Sequence, residues 1–573
     1  MYVQILYCFC AQVKMNQMKK IFETAIILEV NKMNREKTAK AIREGRTSLG
    51  IEFGSTRIKA ILIDEEFQPI AQGAFEWESS LQEGIWTYNL IEIITGLQVA
   101  YRQMKEQAAQ LYGVTIQTIG SIGISAMMHG YVACHHTGEV LVPFRTWRNG
   151  TTTEASQKLT DVFQFHIPER WSIAHLYQAI LGEEKHLSRL EYVTTLSGYI
   201  HWLLTGKQAI GIGDASGMFP IDEKKKDYNE VMLHQFEALI AEKGYPWKLR
   251  HLLPRIYLAG EEAGVLTAAG AAILDQGKQL QPGIPFCPPE GDAGTGMVAT
   301  NSVEKRTGNI SVGTSVFAMI VLEHHLKGVY PEVDLVTTPD GLPVAMVHAN
   351  NCTSDLNAWM NLFREAFEAM GQPVETERLY ETLLNQALEA DHDGGGLLSY
   401  GYYSGENITR LKEGRPLFVR SPQSRFTLAN FIRTHLFSAF GAMKIGMDRL
   451  KAHEQVKIDR LLGHGGLFKT PVVGQKMVAA ALGTPVSVVS TAGEGGAFGM
   501  AVLASYMINH QQQTLSHFLK HQVFAHTLEE LIDPDPLDVK GFEAFIKRYQ
   551  EGLPIEKVAV EHLTPQKGAA PVC

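Results

Sequence analysis

Phe53-Gly54-Ser55-Thr56, running into the apolar stretch Ile58 to Ile63, is matched later in the chain by Val312-Gly313-Thr314-Ser315, running into Phe317 to Leu322. Each copy is an apolar run, a Gly-hydroxyl-hydroxyl turn and a second apolar run, which predicts a β-hairpin whose tip offers backbone N–H groups and hydroxyls to an anion. The glycines of the two tips stand 259 positions apart. That separation predicts duplicated domains gripping a nucleotide polyphosphate from both sides. Between them, Pro289-Glu290-Gly291-Asp292-Ala293-Gly294 sets an acid in a small-residue turn, where a phosphoryl-transfer reaction needs its base. The pattern as a whole predicts a two-domain ATP-dependent phosphotransferase.

Composition narrows the field. With 573 residues, 45% hydrophobic and 20% charged, the chain has enough material for two or more domains with large cores, and disordered or fibrous classes are excluded. A net charge of −9 and a pI near 6.2 give no global attraction to nucleic acid or to an anionic membrane, so neither is expected as a partner. The cysteines at 8, 10, 134, 287, 352 and 573 show neither a disulfide framework nor paired zinc spacing, which fits a reducing cytoplasm. Cys134-His135-His136 offers soft metal ligands, but three adjacent residues at a strand end cannot all face one ion, and an ordinary strand and loop is expected there. No apolar run approaches the roughly 18 to 20 residues that cross a bilayer. Met1 to Cys10 is apolar without a basic segment before it or a cleavage site after it, so export is not expected. Residues 1–45 read as an N-terminal extension ending in the helix-prone Asn34 to Lys40, and residues 1–32 are expected to matter little to the fold.

After the first hairpin, Leu90 to Leu111 carries Ile91, Ile94, Leu97 and Tyr101 at helical spacing, and Ile119 to Ser125 reads as a buried parallel strand. Met127-Met128-His129-Gly130 follows at the carboxyl end of that strand, where α/β folds place ligand groups; periodicity alone leaves a pocket wall and simple core filling equally open. Residues 172–206 read as helix with a stop at Thr205-Gly206, and Asp214-Ala215-Ser216-Gly217 as loop. Helices are expected around Leu356 to Ala369 and Phe431 to Leu450, with a Gly/Tyr-rich loop of unassigned role at 394–405. Leu461 to Thr470 joins a strand to a helix over Val472 to Leu482, Val486 to Val489 is a further strand, and Thr491 to Gly499 opens a last helix. Small residues at such turns let backbone approach a flat ring or a phosphate.

In this order and across residues 49–504, these segments resemble the FGGY family of carbohydrate kinases, within the actin-like ATPase superfamily; Met128-His129-Gly130 and Asp214 to Gly217 most resemble the family's xylulokinases. The resemblance implies an α/β fold of two ribonuclease-H-like domains with the active site in the cleft between them. Its divisions fall at 46–302 for the sugar-binding and catalytic domain, 303–545 for the nucleotide-binding domain and 546–573 for a C-terminal tail. It also implies Asp292 as catalytic base and sugar contact, with Met128, His129, Trp147 and Asn149 on the sugar, and Glu52 on Mg²⁺. ATP would be held by Ser55, Thr56, Lys59, Gly313, Thr314, Ser315, Gly465, Gly466 and Phe468. From spacing alone, Asp292 reads equally as a base or as the cap of the helix that follows.

The chain departs from the family pattern twice. Glu52 stands where Asp is usual, keeping the charge one methylene further out, against a metal that demands near-octahedral geometry. Trp147-Arg148-Asn149-Gly150-Thr151 replaces a Trp-Asn-Asp run followed by Arg, which changes the hydroxyls that can be paired. The expected activity is ATP-dependent phosphorylation of a ketopentose, D-xylulose foremost, in the cytoplasm, with a homodimer as one expected assembly. The alternatives are a kinase for ribulose, gluconate or another ketose or polyol, a non-kinase actin-like ATPase, and a sugar-binding regulator.

Overall fold

The computed structural model describes residues 32–489, 495–527 and 529–563. In the first half, β1 (Ser48–Phe53) and β2 (Arg57–Ile63) form the expected antiparallel hairpin and β3 (Pro69–Glu76) extends it. Leu49, Ile51 and Phe53 are fully buried on one face of β1, while Gly50 and Glu52 look the other way. Helix α1 (Leu90–Tyr112) starts at Asn89, whose side chain accepts the Ile91 N–H, and stops at left-handed Gly113. Its buried stripe runs through Ile93, Leu97, Ala100 and Met104, with Ile93, Leu97 and Met104 each contributing about 2 kcal/mol when fully buried. Ile91, expected on that stripe, sits in the first turn on the far side and is 77% exposed. β4 (Ser121–Ala126), buried along its whole length, runs parallel to β1, with β5 (Pro285–Phe286) and β6 (Glu290–Gly291) parallel to β4 in turn. β6 leads directly into α2 (Asp292–Ala299).

The second half repeats this plan. β7 (Thr307–Val312) and β8 (Val316–Val321) form the second hairpin, with β9 (Val333–Thr337) and β10 (Pro343–Ala349) antiparallel beyond it. On the other flank, past the long helix α3 (Leu428–Glu454), β11 (Arg460–Gly465) runs parallel to β7 and β12 (Val486–Val488) runs parallel to β11. The strand orders are β5-β4-β1-β2-β3 and, at corresponding places, β12-β11-β7-β8-β10. Two domains of the same α/β design, each with a Gly-hydroxyl-hydroxyl hairpin at its centre, are therefore present.

Several elements differ from the sequence reading. Residues 172–206 form two helices, Ser172–Leu181 and Leu196–Thr205, separated by a 3-10 turn and the strand Tyr192–Thr194. The break falls at Gly182 and at Glu183, whose positive φ of 52° ends the first helix. Asp214 lies in a short helix, Ile212–Ala215, not in a loop. The helix over 32–43 inserts Ile42 into the first domain's core, so residues 32–45 belong to that domain and are not an extension; residues 1–31 lie outside the described ones. The proposed boundary at 545/546 cuts through α5 (Pro536–His562), whose Phe542, Phe545 and Tyr549 are in the second domain's core. Tyr400 and Tyr402 of the Gly/Tyr-rich segment pack on Tyr549, with Gly394, Gly395 and Gly396 all at positive φ before them, so this segment has a packing role. The helix opened by Thr491 to Gly499 is described from Gly495, as α4 (Gly495–Asn509), and lies against β1 and β4 of the first domain, although it follows the second domain's β12. Glycines 50 and 499 permit this approach: a Cβ on Gly50 would fall onto the Ala497 carbonyl, and one on Gly499 onto the Thr295 carbonyl.

Candidate active site

The two hairpin tips are built alike. Gly54 N–H closes its turn on the Arg57 carbonyl at 2.9 Å, and Gly313 N–H closes on Ser315 at 3.0 Å. The glycine amides are thus used by the turns themselves, and the groups left at each apex belong to Ser55-Thr56 and Thr314-Ser315. The tip carbonyls are tied back so that they do not face an anion. Trp77 Nε1–H donates to the Gly54 carbonyl at 2.8 Å and Tyr88 O–H to that of Ser55 at 2.6 Å. In the second tip, Thr353 donates to Gly313 through its amide at 3.1 Å and its hydroxyl at 2.8 Å, and Cys352 N–H donates to Thr314 at 2.9 Å. The sequence reading missed these braces. Trp77 and Tyr88, stacked at 4.2 Å, come from a region without a motif.

β6 pairs with β4 so that Glu290 lies opposite Ser125 and Gly291 opposite Ala126. This register delivers Asp292 to the Met128-His129 segment, where its Oδ1 accepts the Met128 N–H at 3.0 Å. Asp292 is the first residue of α2, whose cap position is Gly291, so the capping alternative does not describe it. Burial raises its pKa, while the amides of Met128 and Ala293 restrain the rise. Glu52 points from β1 to the same place and stands opposite Lys59 of β2. Its Oε2 accepts the Ala497 N–H at 3.1 Å, in the first turn of α4. Burial and then the charge of Asp292 push the Glu52 pKa up to about 7, against the pull of Lys59 and the helix amides.

On the sugar side, His129 is buried in a left-handed conformation with φ of 72°. Its Nδ1 meets the Gly217 carbonyl at 3.3 Å, and a Cβ on Gly217 would collide with the imidazole, which explains the glycine that ends the Asp214 to Gly217 run. Burial lowers the His129 pKa to about 3, so the ring is neutral. Asp214 Oδ2 accepts from the hydroxyls of Thr195 at 2.7 Å and Ser197 at 2.5 Å, and its Oδ1 is buried without a hydrogen-bond partner among the described residues. Beneath it, Glu290 accepts the amides of Gly213 at 3.2 Å and Asp214 at 2.9 Å. Burial raises Asp214 to about 7 and Glu290 to about 8. Asp214 and Glu290 were both quoted in sequence motifs, yet only the fold reveals them as a stacked carboxylate pair beside Asp292. Met128 packs on Gly291, where a Cβ would press against its side chain.

The structure separates the members of the 147–151 loop. Trp147 is part-exposed and its Nε1–H reaches Ser55 Oγ at 3.3 Å, linking the sugar-side loop to the first phosphate tip. Asn149 is buried and spends its amide on the backbone: its Oδ1 accepts Trp86 N–H at 2.8 Å and its Nδ2 donates to the carbonyls of Trp86 at 2.8 Å and Thr146 at 3.0 Å. Asn149 thus clamps the loop to the Trp86 strand. Arg148 stacks on Trp86 at 4.0 Å and donates to Ser79 at 2.8 Å.

At the end of β11, Gly465 at φ 105° lies against the Val312 backbone, with no room for a Cβ, while no atom of the described residues stands within 4 Å of a Cβ on Gly466. The Phe468 ring packs on Gly463. The second domain also reaches the segment around Asp214: Asp334 of β9 pairs with Arg170, and Thr337 of the same strand donates its N–H to the Ser216 hydroxyl oxygen at 3.0 Å and its own hydroxyl to the Ile212 carbonyl at 3.1 Å. Sequence spacing gave no sign of these bridges.

Residues 47–299 match the N-terminal domain of the FGGY family of carbohydrate kinases and residues 308–508 match its C-terminal domain. The chain belongs to the FGGY family of carbohydrate kinases. As an FGGY kinase it is an enzyme, and the non-kinase ATPase and regulator alternatives are set aside. It is 21% identical over 478 residues to the xylulose kinase of Haemophilus influenzae, covering 78% of this chain and 91% of that one. Among solved structures, a xylulose kinase from Rhodospirillum rubrum superposes with a TM-score of 0.71 at 17% identity, over 89% of this chain and 99% of the other. A gluconate kinase from Lactobacillus acidophilus gives 0.72 at 14% identity, over 90% and 99%. This FGGY kinase thus shares its fold with kinases of more than one named substrate. No helix among its described residues is long and apolar enough to cross a membrane.

Proposed function

We propose that this FGGY kinase transfers the terminal phosphoryl group of ATP to a ketopentose, with D-xylulose as the preferred acceptor and its terminal hydroxyl as the nucleophile. The observation that carries the proposal is Asp292, anchored to Met128 at the meeting point of β4 and α2, with the hydroxyl-bearing tip of the first hairpin on the neighbouring strand. A carboxylate of raised proton affinity accepts the proton of a sugar hydroxyl as that oxygen attacks. Neutral His129, fixed by Gly217, supplies a hydrogen-bonding edge whose polarity does not depend on pH near neutrality. The tips carrying Ser55-Thr56 and Thr314-Ser315 align the polyphosphate, Gly465 lets the chain pack on the Val312 backbone, and Gly466 leaves room for the nucleotide to approach the backbone.

Glu52 and Asp292 fit a hard divalent cation, because their mutual repulsion, visible in the raised Glu52 pKa, is relieved by a positive charge and their donors are oxygens. Mg²⁺ bound there would neutralise charge on the transferring group. The Ala497 amide bonds Oε2 of Glu52, so the carboxylate that would hold the cation is also fastened to α4. The xylulose kinase relatives support the choice of sugar. Three unpaired buried cysteines, Cys134, Cys287 and Cys352, support a reducing cytoplasmic setting.

The test is coupled ADP release with D-xylulose, D-ribulose, gluconate and glycerol as acceptors. D-xylulose is expected to show the highest kcat/KM and to accelerate ADP release well above the rate without sugar. A clearly higher kcat/KM for gluconate or ribulose would overturn the substrate assignment, and equal ADP release without any acceptor would overturn the transfer to sugar.

A further inference from the structure

At the strand end where Cys134-His135-His136 stands, the three side chains part company. Cys134 closes the strand Val132–Cys134 with its thiol in the core, pushed up to about 12 by burial. His135 and His136 both turn outward toward Glu191, which precedes the antiparallel partner strand Tyr192–Thr194. Glu191 Oε2 lies 2.5 Å from His136 Nδ1 and 3.5 Å from His135 Nε2. The single ligand atoms of these three residues all fall within 4.8 Å of one another. The objection that adjacent residues cannot share an ion holds for an extended strand, but here the chain leaves the strand. His135 N–H bonds the Glu139 carbonyl at 3.0 Å and its own carbonyl accepts the Gly138 N–H at 3.0 Å, so a turn with Gly138 at φ 88° brings the two imidazoles side by side at 4.0 Å.

The geometry points to a surface site for a divalent transition cation of borderline softness, such as Zn²⁺, held by His135 Nε2, His136 Nδ1 and Glu191. Three features support it. Thr137 Oγ1 lies 3.1 Å from His135 Nδ1, and in the tautomer that donates Nδ1–H to this hydroxyl the Nε2 lone pair is directed toward Glu191 and open to a cation. Tetrahedral coordination by N and O ligands at about 2.0 to 2.2 Å sets neighbouring ligand atoms about 3.4 Å apart, close to the His135–Glu191 separation. The His136 ring has to withdraw by about 1 Å to match, and it is an exposed side chain free to do so. The frame is also preorganised: Glu191 N–H bonds the Cys134 carbonyl at 3.1 Å, and the His136 N–H bonds the Glu191 carboxylate at 2.7 Å. Imidazole and carboxylate together select Zn²⁺, Ni²⁺ or Cu²⁺ over Mg²⁺, which avoids nitrogen ligands, so this site is chemically distinct from the carboxylate pair of the cleft. Solvent fills the fourth position.

Calorimetric titration of the chelator-treated full chain with Zn²⁺, without Mg²⁺ or nucleotide, tests the inference. One tight equivalent per chain is expected, weakened at least tenfold in His136→Ala and in the isosteric Glu191→Gln, with sugar-dependent ADP release and melting temperature before zinc addition unchanged. Anomalous scattering at the zinc edge is expected to place the ion between the three side chains. Zn²⁺ uptake of equal stoichiometry and affinity in the native chain and in the His136→Ala/Glu191→Gln double variant, or no uptake by the native chain, would overturn it.

Discussion

Glu52 and Ala497, 445 positions apart in the chain, are joined by a hydrogen bond of 3.1 Å from the Ala497 amide to the Glu52 carboxylate. The contact fastens the first turn of a helix that follows the second domain's β12 to the central hairpin of the first domain, beside Asp292. One side chain therefore reports both on the docking of α4 and on the charge balance of the cleft.

Replacing Glu52 with Gln keeps an acceptor for the Ala497 amide and removes the charge. We expect a lower kcat and a Mg²⁺ requirement shifted to higher concentration, with the melting temperature nearly unchanged. A Mg²⁺ titration of ADP release measures this, and an unaltered titration curve would assign Glu52 to helix docking alone.

Asp292→Asn preserves shape and the acceptor for Met128 N–H while removing basicity. Turnover should fall by about 10²- to 10⁴-fold, the usual worth of a positioned base, with sugar affinity by calorimetry within a few-fold of native. Near-native turnover would eliminate Asp292 as the base.

Gly50→Ala places a methyl group on the Ala497 carbonyl and the Ala501 amide, both backbone atoms that cannot rotate away. We expect a loss of about 3 kcal/mol in urea unfolding, at the upper end for overpacking, together with reduced activity because α4 is lifted from Glu52. A loss below about 1 kcal/mol would mean the helix can shift without cost.

Glu52, Asp214 and Glu290 have pKa values raised to about 7, 7 and 8 from ordinary values of 4.5, 3.8 and 4.5. Across that window the folded chain holds protons that the unfolded chain has released, so this contribution to stability is complete below the unfolded values and is lost as pH rises through the folded ones. Asp334 is held well below the ordinary carboxylate range, with Arg170 the principal opposing charge to its burial, so its effect is confined to acid pH. Below about pH 7 the buried histidines His129, His175, His201, His348 and His464, with pKa values lowered to about 3 or 4, oppose the trend of the raised carboxylates, because there the unfolded chain binds protons that they do not. From pH 7 to 8.5 the melting temperature of the ligand-free protein should therefore decline, less steeply in Glu290→Gln. A flat profile shared by both proteins would contradict the raised values.

Local pattern was enough to read the hairpins at Gly54 and Gly313, helix α1, strand β4 and the small-residue turn at Asp292, because each is built from residues close in sequence whose periodicity or turn chemistry has one good solution. Ile91 shows the limit even there: the helix was legible, but which of its apolar residues met the sheet depended on the angle at which it packed. The same limit governs Asn149, whose amide could equally have met a sugar hydroxyl until the fold laid Trp86 beside it.

The tertiary structure alone decided what stands next to Asp292. The stacking of Asp214 over Glu290, the bond from Ala497 to Glu52 and the bridge from Asp334 to Arg170 join segments distant in the chain, and a carboxylate's identity says nothing of its neighbours. Sequence determined which groups could accept a proton, turn a loop or bind an anion, since those are properties of residues and short runs. Proton affinity, pairing and access arise from burial and from charges brought together across the fold, and these exist only once both domains have closed their sheets.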